Sequence, residues 1–200
     1  MVHMKHFLEI ITITLFPFVI GVTVSSDNVV MNDRGNYSTY PEHIAGAYTG
    51  GFGEQSCHSC HFDYDLNHPE GEFSVSGIEE MFETGQDYRI TLNVKRDDMS
   101  RAGFQMTARF EDGSQAGQFE VSEEFTRTPN IDSTITYLQH AVGKVEAENG
   151  EKNWEISWTA PDQVNQTIIF NFAVNAANGD ASAFGDWIYV KEIKMDPKKY

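Results

Sequence analysis

From Gly71 onward, apolar and polar residues alternate along the chain with the period of two that marks strands with one buried face. Tyr88, Ile90, Leu92 and Val94 alternate with Arg89, Thr91, Asn93 and Lys95. Phe104, Met106, Ala108 and Phe110 alternate with Gln105, Thr107 and Arg109. The same pattern returns at Trp154, Ile156 and Trp158, at Ile168, Phe170, Phe172 and Val174, and around Trp187 and Tyr189. Weaker strand signals lie near 72–78, 117–121 and 134–142. Polar turns separate these runs, among them Glu111-Asp112-Gly113, Glu148-Asn149-Gly150, Ala160-Pro161-Asp162 and Asn178-Gly179-Asp180. About eight short strands with no long amphipathic helix predict an all-β, antiparallel sandwich over 71–195. Gly77 to Phe82 is read as a short helical turn, and the tail from Lys194 to Tyr200 as fraying.

Before Gly71 the pattern is different. Phe7 to Val24 is mostly apolar behind a short start containing Lys5, and it ends at Ser25-Ser26-Asp27, so residues 1–26 read as a signal peptide or an uncleaved membrane anchor. Either places the remainder outside the cytoplasm: periplasmic, secreted or cell-surface. Residues 27–70 lack periodicity and form a loop segment. Within it, Gly46, Gly50, Gly51 and Gly53 surround Tyr48 and Phe52, which suggests a loop that wraps onto the domain or feeds a site.

Charge narrows the partners. Thirty acidic residues face 14 basic ones, a net −16, which argues against nucleic acid and against docking on an anionic membrane. Membrane contact is expected only through the N-terminal segment. A basic docking face on a partner protein would complement the acidic surface.

The candidate chemistry sits at Cys57-His58-Ser59-Cys60-His61, a C-x-x-C-H string holding both cysteines of the chain. Two thiols three positions apart can reach the two vinyl groups of one haem, and the residue after the second Cys then stands beside the iron. The expected cofactor is therefore one covalent haem c, held by Cys57 and Cys60 and ligated by His61. A zinc site would need further ligands. A redox pair would expect a βαβ setting, and so short a disulfide loop would add little stability. The sixth iron position decides the chemistry, with His140, Met106, Met99, His43, His58 and His68 as candidates. His140 is the preferred second ligand, and His58 is poorly placed because it lies inside the loop that pins the haem. Asp63-x-Asp65-x-Asn67 opens like a calcium loop but has His68 at the sixth position and Ser74 at the twelfth, which rejects an EF-hand.

Several strings, in this order, resemble one family. Tyr48-Thr49-Gly50-Gly51-Phe52-Gly53-Glu54 leads into Cys57. Ala102-Gly103-Phe104-Gln105-Met106 opens a strand, and Tyr137-Leu138-Gln139-His140 comes before Trp158-Thr159-Ala160-Pro161. Asn175-Ala176-Ala177-Asn178-Gly179 runs on to Gly185-Asp186. The chain resembles, over roughly 45–192, the Reeler-like domain seen in bacterial exported proteins under the label choice-of-anchor V. The resemblance implies an immunoglobulin-like sandwich on a secreted or surface protein, with His140 at a matching position. It implies no settled reaction.

The function expected is that of an exported single-haem, cytochrome-like electron carrier of the cell envelope with a redox partner protein. Two alternatives stay open: a haem sensor or peroxidase-like protein with an open sixth site, and an adhesive or structural sandwich with a Cys/His metal site.

Overall fold

The structure is a computed structural model that describes residues 29–31, 37–39, 46–127, 134–141, 143–162 and 166–198. The segment 1–26 lies outside the described residues, as does His43. Among the described residues no helix is long and apolar enough to cross a membrane.

Two sheets face each other. The smaller has four strands, ordered β3 (Glu72–Ser76), β5 (Asp87–Lys95), β10 (Glu151–Thr159) and β7 (Gln118–Phe119). The larger has six, ordered β4 (Met81–Phe82), β12 (Trp187–Pro197), β11 (Ile168–Ala177), β6 (Arg101–Phe110), β9 (Leu138–His140) and β8 (Phe125–Arg127). A separate hairpin pairs β1 (Val29–Met31) with β2 (Tyr37–Thr39) inside the segment read as loop. All pairings are antiparallel except β4 with β12. The all-β sandwich expected from the alternation is what the chain forms.

Register explains why the alternation works. In the smaller sheet Trp154 stands opposite Leu92, Ile156 opposite Ile90 and Trp158 opposite Tyr88, so one face is wholly apolar. In the larger sheet Phe172 stands opposite Met106 and Val174 opposite Phe104. These two faces make the core, where Trp158 meets Phe170 edge-on at 4.9 Å. A one-residue slip of β11 would turn Phe170 and Phe172 outward and Asn171 inward, so burial fixes the pairing.

Two local expectations are corrected. Gly77 to Phe82 contains no helical turn: Met81 and Phe82 form β4, because Phe82 is buried in the core and the backbone there pairs with Asp196 and Pro197. The tail does not fray at Lys194, since β12 continues to Pro197 and Met195 is buried beneath it.

The outer face of the larger sheet departs from the simple rule that polar positions face water. Gln105, Thr107, Arg109 and Asn171 point away from the core and are nonetheless buried. The glycine-rich loop covers them. Tyr48 N–H donates to Gln105 Oε1, and Gln105 Nε2 donates back to the Gly46 carbonyl. Gly51 lies against Asn171 so closely that an added Cβ would sit 2.2 Å from the Asn171 amide.

Replacing Phe170 by Ala should destabilise the domain by about 3–5 kcal/mol. Replacing the exposed Val121 by Ala should change stability by less than about 0.5 kcal/mol. Equilibrium urea denaturation of the two variants checks this pair, and equal losses would contradict the placement of the core.

Candidate functional site

The glycine-rich loop is anchored by one half-buried carboxylate. Glu54 Oε1 accepts from Arg109 Nη1 at 2.5 Å and from the Tyr137 hydroxyl at 2.5 Å, while Oε2 accepts from the Thr49 hydroxyl at 2.8 Å. The Arg109 guanidinium also lies 4.1 Å from the centre of the Phe52 ring. Burial, then the hydrogen bond to Glu54, pushes the Tyr137 phenol up to about 12, so it stays a donor. Alternation alone did not point to this cluster. The signal that could have found it is a charged residue, Arg109, on a strand with an acidic residue in a nearby glycine-rich loop.

Immediately after this anchor the chain makes a single 3-10 turn, Cys57–Ser59. Ser56 caps it, its hydroxyl accepting the His58 N–H at 3.3 Å. The His61 N–H donates to the Cys57 carbonyl at 3.1 Å, closing the C-x-x-C-H string on itself. Both thiols are free, Cys57 half-buried and Cys60 exposed. Burial pushes the Cys57 thiol up to about 12. Among the described residues no group of three or more His, Cys, Asp and Glu side chains is arranged to hold a metal ion.

His61 is held from below by the larger sheet. Its Nδ1 lies 2.8 Å from Oδ2 of the buried Asp186. Asn175 Nδ2 sits 3.4 and 3.5 Å from the two ring nitrogens, so it rests against the ring without favouring either. Among the described residues Nε2 has no charged partner. Beside it, Phe62 and Phe184 meet edge-on at 6.0 Å and are both more than half exposed. Tyr64 and Leu66, further along the same segment, are also exposed. Two free thiols, one oriented imidazole and exposed aromatic side chains together form a donor set and an apolar wall that fit a covalent haem.

The other sixth-position candidates separate by geometry. Met106 is fully buried and faces the core, and Met99 is buried in the same cluster. His58 Nε2 is engaged with the Tyr64 carbonyl at 2.9 Å, and His68 stacks on Trp187 at 4.1 Å. His140 lies at the end of β9, its ring filling the space where Gly103 lacks a side chain, with Cε1 2.6 Å from the position a Cβ would take. Gly103 stands opposite Asn175 in the sheet, and Asn175 touches His61. The Gly103–Asn175 rung thus touches His140 at one residue and His61 at the other. His140 Nδ1 faces the Phe104 N–H at 3.0 Å and the Phe104 carbonyl at 3.2 Å, and burial lowers its pKa. Its Nε2 makes no hydrogen bond among the described residues.

The acidic turn is structural. Asp63 Oδ2 accepts the Gly185 N–H at 2.9 Å, and Asn67 Oδ1 accepts the Val190 N–H at 2.9 Å. These contacts lay the segment after His61 along the start of β12, where they satisfy backbone donors at an otherwise open sheet edge.

In the haem-free protein near neutral pH, iodoacetamide should modify Cys60 well before Cys57. The order follows from exposure and from a Cys57 thiol that stays protonated far above its ordinary value of 9.0. Timed peptide mass spectrometry reads the order, and equal rates would contradict the burial of Cys57.

Comparison with known proteins places the chain in a family. The family model described as Reeler domain matches residues 55–179. Among solved structures, the reelin-N domain of F-spondin is similar, with TM-score 0.48 and 18% identity, over 68% of this chain and 91% of that one. The human F-spondin reeler domain is similar at TM-score 0.44 and 17% identity, over 66% of this chain and 93% of that one. The seventh ScaB type I cohesin from Pseudobacteroides cellulosolvens follows at TM-score 0.39 and 9% identity, over 65% and 93%. No curated protein matches the chain at a significant level. Because the family model matches more than half of the sequence, from just before the C-x-x-C-H turn through β11, the chain belongs to the Reeler domain family.

Proposed function

We propose that this Reeler domain is an exported electron carrier with one covalent haem c, attached through Cys57 and Cys60 and ligated by His61 and His140. The observation that carries the reading is the His61 imidazole, which follows the two thiols directly and is held at Nδ1 by Asp186 at 2.8 Å, leaving Nε2 for a ligand. When bound, haem supplies one-electron chemistry at iron.

Every other part of the reading concerns the chain's own residues. The 3-10 turn sets the spacing of the thiols, and Phe62 and Phe184 offer apolar surface beside His61. Among the described residues His140 has no hydrogen bond at Nε2, and its ring packs on Gly103, the sheet partner of the Asn175 that touches His61. Ligation through Nε2 requires the His140 proton on Nδ1, donated to the Phe104 carbonyl; the other tautomer accepts the Phe104 N–H and keeps the proton on Nε2. Reeler domains occur in secreted or extracellular proteins, in line with an N-terminal export segment. The net charge of −16 suits docking to a redox partner with a basic face.

The test is absorption spectroscopy of the chain matured with export and c-type attachment machinery. The wild type should show a covalent haem spectrum that carbon monoxide leaves unchanged. His140→Ala should keep its haem and gain a carbon monoxide shift. A wild type that binds carbon monoxide as readily as the variant would remove His140 from the iron and favour the open-site reading. A chain that takes no haem would remove the whole proposal.

A further inference from the structure

The carboxylate beside His61 is held more firmly than a structural cap at that turn requires. Asp186 is 2% exposed, and its Oδ2 takes His61 Nδ1 at 2.8 Å and Asn175 Nδ2 at 3.2 Å. Its Oδ1 accepts the Asn178 N–H at 3.2 Å. The loop that carries it is clamped on both sides. Arg96 Nη1 donates to the Ala176 carbonyl at 2.9 Å and to the Gly185 carbonyl at 2.7 Å, and its guanidinium stacks on Trp187 at 4.1 Å. Arg96 is itself pinned by a two-pronged pair with Asp98, through Nε and Nη2. From the other side, Asp63 of the haem-motif segment accepts the Gly185 N–H.

We infer that Asp186 is the positioning residue for His61, fixing the imidazole with its proton on Nδ1 and its Nε2 outward, and thereby lowering the reduction potential of the iron it ligates. The inference rests on the reading that His61 binds haem iron. A buried carboxylate accepting Nδ1–H gives the imidazole anionic character and makes it a stronger donor, which favours the oxidised metal. Asn175 tempers this. Its amide shares Oδ2 with His61 and so draws off part of the carboxylate charge.

Two variants move in opposite directions. Asp186→Asn keeps the size of the side chain but removes the anionic acceptor. It should keep covalent haem and raise the potential by about 59 mV, a tenfold change in the one-electron equilibrium. Asn175→Ala leaves Asp186 fewer donors and should lower the potential. A residue that only caps the turn would cost stability in either variant and leave the potential where it was. The second readout uses the haem-free protein: nitrogen NMR at mildly alkaline pH should find the His61 proton on Nδ1 in the wild type and shared between the nitrogens in Asp186→Asn. Unchanged potentials in both variants, or a wild-type His61 proton on Nε2, would overturn the inference. A chain that takes no haem would overturn the underlying reading instead. The nitrogen spectrum tells the two failures apart because it needs no haem.

Discussion

The architecture depends on the pairing of Arg109 with Glu54. A charged residue pointing outward from a strand is ordinarily solvated, and removing one partner of a buried pair typically costs about 3–5 kcal/mol because the other charge is left uncompensated. Here the outward face of the larger sheet is covered, so Arg109 needs an anion brought to it. Glu54 supplies it from a loop lined with glycines, which can lie flat on the sheet. Once that loop is fixed, the chain leaves it beside β11 with no freedom to place Cys57, Cys60 and His61 elsewhere. The anchor under the loop and the motif after it are thus one device.

The second constraint comes from the opposite direction along the chain. Asp186 lies at the start of β12, in the loop that returns from β11, and reaches the imidazole of a residue 125 positions earlier. The sandwich core fixes β11 against β6 and β12 in register, so the placement of Asn175 and Asp186 follows from the burial of Val174, Ala176 and Tyr189. Packing of apolar residues inside the sandwich therefore aims polar residues outside it. His140 belongs to the same arrangement, because Gly103 leaves room for its ring on the rung that Asn175 completes.

Most of the sandwich was legible in the sequence, because β5, β6, β10 and β11 each set apolar residues on the core face against less apolar ones on the other and so write their period plainly. β4 and the end of β12 were not, since Met81–Phe82 is too short to show a period and the tail from Lys194 read as fraying. Both exist only because they pair with each other. The C-x-x-C-H string was readable as candidate chemistry from spacing alone. Asp186 and Asn175 were not, because a strand-end Asp and a strand Asn resemble ordinary turn and surface residues until the fold sets them under His61. The buried polar face around Gln105, Thr107 and Arg109 was hidden for the same reason: alternation says which side a residue faces, not whether a loop covers it.

The central claim is that this Reeler domain holds a haem by covalent attachment at its N-terminal turn. Denaturing intact-mass spectrometry of the exported, matured chain tests it most directly. The account predicts a wild-type mass increased by one haem that survives unfolding, and a Cys57→Ala, Cys60→Ala variant that folds with no such increase. A wild-type chain at its bare polypeptide mass, or a double variant that still carries haem through denaturation, would contradict it.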